Sequence, residues 1–178
     1  MHRPPSISFH LPNEETLFKS IIPVRPYVNS GYQGEIRSNV FQMLGEAGLE
    51  VEEPIETNLT TAEAVAALRR RYTDQALLIP YNPIKINGGQ TDGVELLISI
   101  TKRLIEHSFI RHAPIVMPAS VHSYFGVTTA IKELPGDISG KVLTVAARRL
   151  EEPRGFAEIT NDVRTHIEEH RRRLLDAF

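Results

Sequence analysis

Short, continuous apolar runs that alternate with longer amphipathic ones restrict this chain's fold more than any other feature. Lys141-Val142-Leu143-Thr144-Val145-Ala146 reads as a strand, and Gln75-Ala76-Leu77-Leu78-Ile79-Pro80 and Pro114-Ile115-Val116-Met117-Pro118 are too short for helices and lack a polar face. Such runs suit strands buried on both sides, which occur in parallel sheets covered by helices. Between them the apolar residues recur at helical spacing. Ile36, Val40, Phe41, Met43, Leu44 and Ala47 predict a first helix from Glu35, closed by Gly48. Thr60-Thr61-Ala62-Glu63 has the form of a capping box ahead of Ala64, Val65, Ala67, Leu68 and Tyr72 and predicts a second. A third is expected over residues 94–107, a fourth over 124–134, and a last one from Gly155 to the chain end at Phe178.

Two further strands complete the pattern. Ser6-Ile7-Ser8-Phe9-His10-Leu11 alternates polar and apolar with period two, and Leu49-Glu50-Val51-Glu52 does so briefly before Pro54 confines it to an edge. Residues 12–34, broken by Pro12, Pro23 and Pro26, read as a long loop insertion. Five β-α units in succession predict a single α/β domain over residues 1–178. The expected architecture is a doubly wound, flavodoxin-like, five-stranded parallel sheet of order 2-1-3-4-5 with a C-terminal helix over 155–178. In that fold a ligand sits at the carboxyl edge of the strands, where the chain reverses direction.

Composition narrows the function. A chain of 178 residues that is 41% hydrophobic and 24% charged has enough material for one core. A formal charge of −2 offers no basic stripe for nucleic acid, so none is expected as a partner. The absence of cysteine removes disulfides, thiolate metal sites and a cysteine nucleophile together. No window approaches the ~20 apolar residues that cross a bilayer, and the N-terminus lacks the apolar stretch of a signal peptide. No membrane association and a cytoplasmic location are therefore expected.

The loops at the expected carboxyl edge supply the candidate site. Gly31 and Gly34 in Asn29-Ser30-Gly31-Tyr32-Gln33-Gly34 precede a helix, where backbone amides can cradle an anion, although a plain turn accounts for them equally well. Tyr81 and Asn82 follow the third strand. Asp92 and Glu95 stand at the start of the third helix, either as complements to its dipole or as acid/base groups at the switch point. Ser120 and His122 follow the fourth strand without the glycine elbow of a serine hydrolase. His166 and His170 are spaced i, i+4, but the charged run around them reads as a solvated helix face, and no metal site is assigned.

The segments Ala64-Val65-Ala66-Ala67-Leu68, Asp74-Gln75-Ala76-Leu77-Leu78, Asp92-Gly93-Val94-Glu95-Leu96-Leu97 and Pro114-Ile115-Val116-Met117 together resemble the middle of response-regulator receiver domains. The resemblance implies a module that switches a partner when an aspartate ending its third strand is phosphorylated. Such a module uses an acidic pair and Mg²⁺ at strand one, a hydroxyl at strand four and a lysine at strand five. This chain departs at each of those places: His10-Leu11-Pro12 replaces the acidic pair, and Ile79, Pro80, Tyr81 and Asn82 hold no aspartate. Pro118 and Ala119 stand near the hydroxyl position, and Lys141 begins its strand instead of ending it. A degenerate receiver acting by protein-protein interaction, with a protein partner or as a homo-oligomer, is the expected function. Part of its C-terminal helix's apolar stripe is expected to pack on the sheet, and the remainder, with Arg171-Arg172-Arg173, to extend past the domain toward a partner or a second copy.

A second resemblance, to Toll/interleukin-receptor-like and nucleoside deoxyribosyltransferase-like domains, rests on topology and one helix glutamate. It implies a nucleoside- or NAD-processing enzyme, with Glu95 catalytic in cleavage of an N-glycosidic bond and Asp92 supporting it. Gly31, Gly34, Tyr81, Asn82, Ser120 and His122 would then hold a small nucleotide. Neither reading specifies a cofactor.

Overall fold

A computed structural model of the protein describes residues 14–26, 31–57, 74–79, 84–86, 89–91, 113–119 and 121–177. The strands are β1 (Ser20–Pro26), β2 (Glu50–Val51), β3 (Ile55–Thr57), β4 (Ala76–Leu78), β5 (Ile84–Ile86), β6 (Gly89–Thr91), β7 (Ile115–Ala119) and β8 (Val142–Ala146). The helices are α1 (Gly31–Glu46), α2 (Val121–Lys132), α3 (Gly136–Ser139) and α4 (Pro153–Asp176), with a 3-10 turn at Ala147–Glu151. The main sheet runs β2-β1-β4-β7-β8, every pair parallel, and β3 also pairs with β1. Because β2 and β3 are consecutive pieces of one edge, this is the 2-1-3-4-5 order expected from the sequence.

The first strand is not where alternation put it. Residues 6–11 lie outside the described residues, and β1 occupies part of the 12–34 span expected to be a loop. Its two prolines concealed it, since a proline in a central strand removes a ladder donor. The register explains how Pro23 is accommodated. Glu50 N donates to Lys19 O and Glu52 N to Ile21 O, so alternate residues of β1, Pro23 among them, turn their backbone groups toward β2. β2 ends at Val51 and β3 begins at Ile55, so the donor that Pro23 lacks would have faced the break between them. Ahead of β1 the buried Phe18 adopts φ 55°, a strained left-handed conformation, while its amide donates to Asp74 O at 2.7 Å.

Alternation across the sheet now has a physical reading. Ile21, Ala76, Leu78, Val116 and Val145 share one core cluster with Val40, Met43 and Leu44 of α1 and Ile159, Val163 and Ile167 of α4. Ile22, Leu77, Ile115 and Met117, the intervening residues, are equally buried but point to the other face. Both faces are covered, which is why these strands read as continuous apolar runs. β1 to β2 and β7 to β8 progress in opposite directions along the sheet, so right-handed crossovers set α1 and α2 on opposite faces. Since α4 packs against α1, it lies opposite α2.

Several boundaries move. α1 begins at Gly31, so Gly31 and Gly34 belong to its first turn instead of a preceding loop. α2 begins at Val121, which puts His122 on the helix. Ile84–Ile86 and Gly89–Thr91, read as loop and glycine turn, pair as an antiparallel hairpin. α4 starts two residues earlier than expected, at Pro153, whose missing amide suits the first helical turn. Its apolar stripe does not leave the domain: Leu174 is buried in the core cluster. The helices expected over 60–72 and 94–107 fall outside the described residues.

Candidate functional site

The topology brings some of the sequence-predicted site together. α1 follows β1 and α2 follows β7, so Gly31, Gly34 and His122 all stand at helix N-termini on the carboxyl edge, on either side of β4. Glu95, Asp92, Tyr81, Asn82 and Ser120 lie outside the described residues. From Ser20 to Pro26 and from Ala76 to Pro83 the sequence holds no carboxylate.

Sequence reasoning missed a second region, which lies on the outer edge of the sheet. A groove of about 280 Å³ runs along β8 and touches Leu143, Thr144, Val145 and Ala146 in succession. Neighbouring residues of a strand point to opposite faces, so one groove reaches four in a row only by following the strand's edge. Tyr124 and Phe125 of α2 form one wall, and Arg149, Ile159 and Asp162 form the wall on the α4 side. Phe125 is 81% exposed, the one large hydrophobic so exposed among the described residues. It meets Tyr124 edge-on, with ring centroids 5.8 Å apart. The signal was present in the sequence, because Tyr124-Phe125-Gly126 sets adjacent aromatics on a helix that can bury only one side.

Charges flank this groove. Glu158 takes hydrogen bonds from Arg149 and Arg154, and those two guanidinium groups hold its carboxyl below the usual carboxylate range. At the amino edge of the sheet Glu52 accepts from Ser20 Oγ at 3.0 Å and from Gln75 Nε2 at 3.3 Å, tying β1, β2 and β4 together.

The histidine pair serves the fold. His166 Nε2 lies 2.8 Å from Lys141 O, and a carbonyl can only accept, so this nitrogen carries the proton. His170 places Nδ1 2.8 Å from His166 O and Nε2 3.0 Å from Gly140 O. Burial lowers the pKa of His166 to about 4, helped by repulsion from His170 and opposed by the Lys141 and Ile115 carbonyls and Glu169. Nitrogens committed to carbonyl oxygens are not arranged to share a cation. Among the described residues no cluster of three or more histidine, aspartate or glutamate side chains could hold a metal.

Comparison with known proteins adds to this geometry. No family model matches the chain, and no curated protein does. Among solved structures, a sensor protein from Polaromonas sp. JS666 superposes with TM-score 0.50 at 15% identity, covering 88% of this chain and 98% of its own. The fold is receiver-like. A response regulator receiver domain protein from Clostridium thermocellum gives TM-score 0.49 at 14% identity over 88% of this chain and 96% of its own. No helix among the described residues is long and apolar enough to cross a membrane.

Proposed function

We propose that the protein is a receiver-like signalling module that works by protein-protein contact instead of aspartyl phosphorylation, and that its partner is a second copy of the chain. The observation that carries this reading is Phe125, which stands 81% exposed beside the sheet edge. Water-exposed aromatic surface of this kind marks a contact site when it adjoins further apolar surface, here the part-exposed Tyr124 and Leu143. Two features favour a second copy. The same face carries both signs of charge, Arg149 and Asp162, and a two-fold contact requires a self-complementary patch. The exposed Phe125 ring and the β8 edge, which has no outer strand among the described residues, also occur at one place, so each copy can cover the other's Phe125.

The lack of native cysteine gives a direct test. Thr129→Cys introduces the chain's one thiol on α2 one turn from Phe125, which stays in place, and mild oxidation should give a covalent dimer within minutes. Asp137→Cys, on the exposed face of α3, should cross-link far more slowly. Equal rates for the two variants would refute the contact.

A further inference from the structure

We infer that two copies of the chain join by pairing their β8 strands, antiparallel about a two-fold axis at Thr144, so that two sheets become one. The inference rests on the reading above in taking a second copy as the partner, and it assigns the backbone bonds that hold the pair. Ile115 N donates to Lys141 O, which sets residues 141, 143 and 145 facing β7. Val142, Thr144 and Ala146 therefore aim their backbone N–H and C=O groups away from the sheet, where no strand meets them among the described residues. Such groups are a template for another strand, and natural edges are blunted by charges, proline or bulges. The sequence of β8, Val-Leu-Thr-Val-Ala, contains no charge, proline or glycine. The groove makes the edge accessible, since it touches residues 143–146 in succession.

This edge is complementary to itself in one register. A two-fold axis normal to the sheet sets two copies of a strand antiparallel, and its hydrogen-bonded pairs join outward residues to outward residues. Centred on Thr144, the axis pairs Thr144 with Thr144 and Val142 with Ala146, so the whole of β8 is used. Centring on Leu143 would set Ala146 opposite Gly140, and centring on Val145 would set Val142 opposite Arg148, each outside the strand.

The side chains agree with the central register. Val145 lies in the core cluster with α4 and Leu143 packs against it, so these two share the α4 side, while Val142, Thr144 and Ala146 share the α2 side. Across the seam the larger Val142 meets the smaller Ala146, Leu143 meets Val145, and facing threonines can exchange a hydrogen bond. The same axis keeps each side of the sheet against its own kind. Both Phe125 rings stay on the α2 side of the seam, and the wall with Arg149 and Asp162 meets a second such wall, which gives each cation an anion across the contact.

Amide hydrogen exchange of the native chain at about 1 and about 100 μM tests this at single residues. The outward amides of Val142, Thr144 and Ala146 should slow at least about fivefold at the higher concentration. Leu143 and Val145, bonded to β7, should stay slow at both. Thr144→Pro removes an outward donor and leaves the β7 ladder intact, so it should stay monomeric in sedimentation velocity while Leu143 and Val145 keep their protection. A native dimer mixed from labelled and unlabelled copies tests the register without substitution. Leu143 and the second copy's Val145 form a close, non-hydrogen-bonded pair, and their Hα atoms should give an intermolecular Overhauser contact. A cross-linked Thr129→Cys dimer together with outward amides that exchange alike at both concentrations would overturn this inference and retain the second copy as partner, held by side chains alone. A folded Thr144→Pro chain that dimerises as the native chain does, or a dimer without the Overhauser contact, would do the same. Outward amides protected at both concentrations in a monomeric chain, or neither cross-link nor protection, would overturn both.

Discussion

Acidification should destabilise this fold through one side chain. His166 is neutral in the folded protein, donating to Lys141 O from a site where burial and His170 lower its pKa to about 4. In the unfolded chain it returns to the ordinary histidine value of 6.5. Because the folded pKa is depressed, the unfolded state binds the extra proton between these two values. The stabilisation from keeping His166 neutral is therefore intact above pH 6.5 and is lost as pH falls toward 4. Linkage gives a loss of about 2 kcal/mol at pH 5 relative to pH 7.5, approaching about 3 kcal/mol near pH 4. The assay is urea unfolding at pH 7.5, 6 and 5, compared with His166→Gln, which keeps an N–H donor for Lys141 O but does not titrate. The native protein should lose about 2 kcal/mol more than the variant over this range. Parallel dependence in the two proteins would refute the reasoning, since carboxylates and His170 are common to both.

Other substitutions separate the physical terms. A Cβ on Gly155 would stand 2.3 Å from Arg149 O where α4 meets the 3-10 turn, so Gly155→Ala should cost about 2 kcal/mol or more in thermal unfolding. Gly48 has φ +89° and open space around its Cβ, so Gly48→Ala should cost only the conformational penalty of about 1 kcal/mol. Glu52→Ala leaves Ser20 and Gln75 without their shared acceptor and should cost about 1–3 kcal/mol in urea unfolding. Incubation with NAD and nucleosides should yield no products by chromatography, and turnover abolished by Glu95→Gln would contradict a purely binding role.

The inner strands were legible because both faces of the sheet are covered, which writes β4 and β7 as unbroken apolar runs, whereas β8, at the edge, is only part-buried. Gly48 and Pro54 marked a helix end and an edge strand for local steric reasons that tertiary structure preserves. β1 was hidden because Pro23 is tolerable only where the neighbouring edge is interrupted, and that interruption is a property of the β2 and β3 pairing, not of local sequence. The hairpin of β5 and β6 was hidden by Gly88-Gly89, which reads as a turn at the start of a helix just as well as within a hairpin. The carboxyl edge was identified from topology, whereas the β8 groove depends on helices from distant parts of the chain flanking one strand edge. Only the aromatic pair Tyr124 and Phe125 gave a local trace of it.

Sedimentation velocity of the native chain beside Phe125→Asp tests the central claim most directly. Burying Phe125 contributes about 2 kcal/mol per copy, so losing it from both copies should weaken association by about 10³. The account predicts a concentration-dependent shift from monomer to dimer for the native chain between about 1 and 100 μM and a monomer throughout for the variant. A native chain that stays monomeric over the whole range, or a variant that dimerises as the native chain does, would contradict it.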